Sequence, residues 1–242
     1  FPELGECPIN AVSYIDDKTN TVNVFLLRDI FGDNPLIEEF EKNNFSDSIK
    51  ANALFKELQA FIIENVGGPD KAKKFGLDHL NFEFMFFDDE VQLLIALFQV
   101  INRNCPDFML AWNMAFDIPY IIERCYRLGV DPALVLSASN YTEKYATYYI
   151  DEQHRNEYEL RGDYYDIAAD TVYLDQLVQF ASRRKGQAAF PNFKLDTAAD
   201  IITKGAVRKL DYSHITTNIS DLPYKDCPNK AIAQKLIYIS FI

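Results

Sequence analysis

Apolar and polar residues alternate through INAVSYIDDKTNTVNVFLL, Ile9 to Leu27, on both sides of the polar run Asp16–Asn20. A period of two around a polar run predicts a β-hairpin. From Ser46 the spacing becomes helical, and SDSIKANALFKELQAFIIENVGG closes on Gly67-Gly68, residues that end helices. LNFEFMFF, from Leu80, reads as a strand. The helix that follows puts Val91, Leu94, Ile95, Phe98 and Ile101 on one face, with Asp88 or Asp89 as its N-cap.

FMLAW, Phe108–Trp112, is expected to be a short buried strand. The next helix is expected to begin near Asp117-Ile118-Pro119, because proline suits a first turn. Its apolar face is Ile118, Ile121, Ile122, Cys125 and Leu128, and Gly129 ends it. Tyrosine-rich runs flanking a charged turn in TYYIDEQHRNEYELRGDYYDI predict a second hairpin. ADTVYLDQLVQFASRRKG, Ala169–Gly186, reads as one helix with Arg183, Arg184 and Lys185 at its end, and Asp166 and Asp170 read as caps where a strand turns into it. A short helix is expected at LDTAADIITKG, and an apolar one after Pro228. Strands interspersed with helices place the chain in the α/β or α+β class.

Composition narrows the function. The formal net charge is −12 over 242 residues, whereas a stand-alone nucleic-acid binder carries a basic face to meet phosphates. Action on nucleic acid then requires metal ions, or a neighbouring domain, to supply the positive charge. The four cysteines are scattered without CxxC spacing, which argues against zinc. Phe and Tyr number 19 and 14; an aromatic-rich core and an aromatic binding surface both account for them. No apolar run reaches the roughly 20 residues of a membrane span, and the given residues are not expected to include a secretion signal. No polymerase active-site hairpin or P-loop occurs. Phe1 at the start and the uncapped apolar run KLIYISFI at the end both read as cut, so the chain is expected to be an internal piece, residues 1–242, of a longer protein.

One segment carries candidate chemistry. Trp112-Asn113-Met-Ala-Phe116-Asp117-Ile-Pro-Tyr120-Ile, with Arg124 following, sets a carboxylate among apolar residues where a strand gives way to a helix. Sites in α/β sheets lie at such strand ends, although a helix N-cap is the plainer use of an Asp there. The segment resembles the second exonuclease motif of family B DNA polymerases, which is an Asn, two or three residues, an aromatic and a metal-binding Asp. The flanks are similar too. Phe1-Pro2 and the first hairpin resemble the segment after the first motif, especially in phage-type members. Phe87-Asp-Asp-Glu-Val-Gln-Leu-Leu and Cys105-Pro-Asp resemble the run into the second motif. YYDIAADTVYLDQLVQF, FKLDTAADIITKG and KAIAQKLIYISFI resemble the run towards the third. Asn113 and Asp117 are four apart, where many members have five.

The resemblance implies a single ribonuclease H-like exonuclease domain, a mixed β-sheet flanked by helices. It implies removal of nucleotides from the 3′ end of single-stranded or frayed primer-template DNA. Two divalent ions, Mg²⁺ or Mn²⁺, would carry that chemistry. Asp117 would be the catalytic and metal-binding residue. Asn113, Phe116, Tyr120, Arg124, Phe1 and Phe241 would contact substrate. The expected partners are DNA and a polymerase domain of the same chain, with no membrane. The expected location is the cytoplasm of a bacterial or phage-infected cell, or a nucleus.

The family's other acids are expected outside the given residues. The single Asp-x-Glu, Asp88-Asp89-Glu90, opens a helix and matches the pre-helix segment rather than the first motif. No Tyr is followed four residues later by Asp; the resemblance of YISFI to the family's third motif implies that its aromatic position falls on Phe241 and its Asp beyond Ile242. A catalytically incomplete module that binds single strands, or braces a polymerase, is therefore the alternative reading.

Overall fold

The structure, a computed structural model, describes residues 3–28, 59–60, 62–64, 66–74, 76–187 and 190–205. These fall into two units, one of Asn10–Asp88 with the residues from Lys194 on, the other of the residues up to Ile9 with Asp89–Phe193.

In the first unit, β1 (Ala11–Asp16) and β2 (Thr21–Leu27) form the predicted hairpin. Asp16 closes its turn by accepting from the Lys18 N–H (3.0 Å) and the Thr19 hydroxyl (2.9 Å). After α1 (Pro69–Lys74), β3 (Asn81–Phe87) pairs parallel to β2, giving a mixed sheet of order β1-β2-β3. As the central strand, β2 is covered on both faces, and Val24, Phe25 and Leu26 are fully buried. That is why TVNVFLL is nearly continuous in apolar residues. Gly67 and Gly68 both have positive φ, as expected at the close of a helix; the predicted helix lies outside the described residues as far as Leu58.

The second unit opens with α2 (Glu90–Asn104). Asp89 is its N-cap, accepting from the Gln92 N–H at 3.0 Å. Its buried face is Leu93, Leu94, Leu97, Phe98, Val100 and Ile101. Val91 and Ile95, expected to be central, are only half-buried. β4 (Phe108–Ala111) forms where expected but is not a buried strand, since Phe108 and Leu110 are 58% and 49% exposed.

Helix α3 (Met114–Arg127) starts three residues ahead of Asp117. Pro119 is thus an interior residue rather than a first-turn one, and its missing N–H leaves one helix carbonyl without its usual donor. The helix ends as predicted: Gly129 has φ 72°, and Val130 N–H donates to the Cys125 carbonyl at 3.0 Å. α4 (Pro132–Leu136) follows, capped by Asp131. β5 (Ala146–Tyr149) and β6 (Tyr164–Ile167) form the second predicted hairpin.

The stretch read as one helix from Ala169 is two elements, β7 (Val172–Asp175) and α5 (Gln176–Arg183). β7 pairs parallel to β4, with Asp175 opposite Ala111. Neither Asp166 nor Asp170 caps a helix: Asp166 lies within β6, and Asp170 accepts from the Tyr141 hydroxyl at 2.8 Å. α6 (Leu195–Thr203), in the first unit, is the short helix expected there. The helix after Pro228 lies outside the described residues. No described helix is long and apolar enough to cross a membrane.

Residues 3–9 run along α3 and are tied to it in series. The Arg124 guanidinium grips Glu90 with two bonds (Nε–Oε1 2.8 Å, Nη2–Oε2 2.7 Å) and donates to the Gly5 and Glu6 carbonyls. Glu90 Oε1 also accepts from the Ile9 N–H at 2.7 Å. Tyr120 Oη donates to the Cys7 carbonyl (2.8 Å) and accepts from the Cys7 N–H (2.9 Å). Gly5 has φ 72°, and a Cβ there would stand 2.7 Å from the Arg124 nitrogen. Only glycine permits so close a pass at that angle.

Candidate functional site

The site grows from two parallel strands that stop in register. β4 ends at Ala111 opposite Asp175, the last residue of β7. The chain leaving β4 must turn into α3 within Trp112 and Asn113, and Asn113 takes φ 71°, ψ 48° to do so. Asn tolerates that left-handed conformation better than most residues. Its own side chain makes no cap bond. Asp175 does the capping from the neighbouring strand: it accepts from the Asn113 N–H (3.1 Å), the Ala115 N–H (3.4 Å) and, at the start of α5, the Leu177 N–H (2.9 Å). Asp175 is 5% exposed. One buried carboxylate therefore serves two helix starts, where unpaired donors and dipole both favour an anion.

Asp117 sits in the first turn of α3, half-buried. Its carboxyl is pushed up to about 6, first by burial and then by the charge of Asp175. Among the described residues no hydrogen-bond donor or cation pairs with it. A carboxylate that is desolvated, faces a second carboxylate and lacks a partner is the arrangement that a bound cation relieves.

Tyr165 is a third member. Its hydroxyl is buried without a hydrogen-bond partner among the described residues. Burial, then the charges of Asp175 and Asp163, and more weakly that of Asp117, raise its phenol above the usual range; Arg161 opposes them. Arg161 and Asp163 themselves form a buried pair at 2.5 Å.

Of the residues expected to contact substrate, Asn113 and Phe116 are exposed at this strand end, Phe116 at 51% and in ring contact with Tyr120 (5.2 Å). The polar groups of Tyr120 and Arg124 are committed to the Cys7 main chain and to Glu90. Phe1 and Phe241 lie outside the described residues. The acids of Asp88-Asp89-Glu90 have structural partners: Asp88 pairs with Arg28 at 2.7 Å, Asp89 caps α2 and Glu90 holds Arg124. Sequence reasoning missed Asp175 and Tyr165. An Asp ending a strand before a helix was the available signal for Asp175, hidden because the strand was read as helix.

Among the described residues no group of three His, Cys, Asp or Glu side chains is arranged to hold a metal ion. Asp117 fits the role of one ligand. Asp175, with three N–H groups on its oxygens, fits a supporting role better. The described residues do not by themselves fit two divalent ions.

Residues 8–144, more than half the chain, match the family model of the DNA polymerase family B exonuclease domain. The chain belongs to this family. The match spans β1 to α4 and includes the β4–α3 turn with Asp117. A search of curated proteins gave no match. The mixed α/β architecture is consistent with the ribonuclease H-like fold typical of family B exonuclease domains.

Proposed function

We propose that this domain is a metal-dependent 3′–5′ exonuclease that trims single-stranded or frayed DNA ends in proofreading, beside a polymerase domain of the same protein. The observation that carries the reading is the half-buried Asp117 carboxyl, without a partner among the described residues and set against Asp175, within the family-matched segment from β4 into α3. In this reading Asp117 would hold a divalent cation as one ligand, and metal bound there would supply the positive charge that activates water and stabilises a leaving oxygen. The exposed Phe116 ring offers a stacking face for a terminal base, and the Asn113 amide offers hydrogen bonds. Asp175 fixes the turn that presents all three. Tyr120 and Arg124 hold α3 against residues 3–9.

A second reading is favoured by the absence, among the described residues, of any three-group metal cluster. In it the same module guides single strands without cutting them. The two separate on 5′-labelled single-stranded DNA with Mg²⁺ or Mn²⁺, tested beside Asp117→Ala. Shortening from the 3′ end that needs both the metal and Asp117 supports the exonuclease. Retained binding without shortening supports the second reading. Metal-dependent shortening that survives Asp117→Ala overturns the site.

A further inference from the structure

We propose that the C-terminal end of α5 and the turn Phe190–Phe193 form a binding platform for single-stranded DNA. The inference rests on the reading above and adds to it a substrate contact away from Asp117.

Three observations converge. Arg183, Arg184 and Lys185 follow one another in a chain of net charge −12. Arg183 and Lys185 are exposed, and neither has a carboxylate partner among the described residues. Two cations at a helix C-terminus complement its dipole, but that leaves their solvent side free for a polyanion. Second, Arg184 is held by rings: its guanidinium lies 4.6 Å over Phe190 and 5.7 Å over Phe180, and its Nε lacks a hydrogen-bond partner among the described residues. Third, the rings form a connected, half-exposed surface. Phe180 contacts Phe190 at 5.2 Å, Phe190 contacts Phe193 at 5.7 Å, and Trp112 contacts Phe180 at 5.6 Å. All four are half-buried, so part of the ring surface faces solvent.

Trp112 joins this surface to the site. Its Nε1 donates to the Phe193 carbonyl at 3.0 Å, and the next residue is Asn113 of the turn. Unpaired cations beside accessible rings are the combination that tracks a flexible phosphate backbone and stacks its bases. Duplex DNA keeps its bases stacked inside and cannot use the rings.

The test measures the affinity of the intact chain for labelled oligo-dT in EDTA, over a range of salt, so that no cleavage is involved. Arg183→Gln/Lys185→Gln changes two exposed side chains and leaves packing alone. It is expected to weaken binding about fivefold or more and to lower the slope of log K against log salt by about 1.4, roughly 0.7 per phosphate neutralised. Phe190→Leu keeps an apolar side chain and is expected to weaken binding about fivefold or more with the slope unchanged. Emission from Trp112, the single tryptophan, should be quenched on binding. Oligo-dT binding that is as tight in both variants as in wild type, or matched by duplex DNA and heparin, overturns the platform, as does a wild-type chain that does not bind. Unaltered binding in the platform variants leaves the exonuclease reading intact; that reading fails separately, on shortening that persists in Asp117→Ala.

Discussion

Asp175 Oδ1 accepts the Asn113 N–H at 3.1 Å, so a side chain at the end of one strand sets the backbone that leaves its parallel neighbour. The same carboxylate reaches Ala115 and Leu177. Removing it strands three N–H groups near a left-handed residue. Asp175→Ala is expected to cost about 2–4 kcal/mol of stability, as a capping group lost with buried donors unsatisfied. Asp175→Asn, which keeps one acceptor oxygen, should cost less than half of that. Denaturant titration of both variants checks the order; equal losses would show that shape rather than acceptance matters.

The Arg124–Glu90 pair, with 13% and 9% of the side chains exposed, behaves as a unit. Arg124→Ala leaves Glu90 buried and unpaired, at an expected cost of about 3–5 kcal/mol. Adding Glu90→Gln should recover part of the loss, with a coupling of about 1–3 kcal/mol in a double-mutant cycle. Arg124→Lys should not rescue the wild-type value, because an ammonium cannot reproduce the two-pronged grip. Strict additivity of the single variants would remove the pair from the account.

Gly5→Ala tests how closely residues 3–9 pass α3. The added Cβ would meet the Arg124 nitrogen at 2.7 Å and the Glu123 carbonyl carbon at 2.8 Å, at φ 72°. Neither obstacle is a flexible side-chain end. The expected loss is about 1–3 kcal/mol, with faster hydrogen exchange at the Cys7 and Ile9 amides. Unchanged exchange at both would contradict the clamp.

Asp117 predicts a pH dependence of defined sign. Its folded value, about 6, lies above the ordinary aspartate value of 3.8, so the folded state binds the proton more tightly. The contribution to stability is complete below about pH 4 and is lost as pH rises through about 6. The full difference would carry roughly 3 kcal/mol, and solvent screening at this half-buried position brings it to about 1–2. Asp117→Asn should therefore be more stable than wild type at pH 7.5 and close to it at pH 4. Thermal unfolding at the two values decides, in buffers without divalent ions.

The parts of the fold set by local periodicity were legible. Both hairpins and α2 follow from alternation or helical spacing that tertiary contacts do not override. β7 was not legible: Leu174, Leu177, Val178 and Ala181 run from its end into α5 with spacing compatible with one helix, and four residues are too few to show alternation. The start of α3 was hidden for a different reason. Asn113 stands at the N-cap but its side chain makes no cap bond; the capping comes from Asp175, 62 residues away, and Asp117-Ile-Pro119 reads locally as a later start. In the site, Asp117, Asn113 and Phe116 were legible because one short motif carries them. Asp175 and Tyr165 join only when β6 and β7 pack beside that motif, which no local pattern encodes.

The central claim is that the Asp117 carboxylate takes a divalent cation. Paramagnetic broadening of backbone amide signals on addition of Mn²⁺ tests it without requiring catalysis. The account predicts broadening centred on Asn113–Asp117, extending to Asp175 and absent in Asp117→Asn. Broadening that is unchanged in that variant, or centred away from the β4–α3 turn, would contradict it.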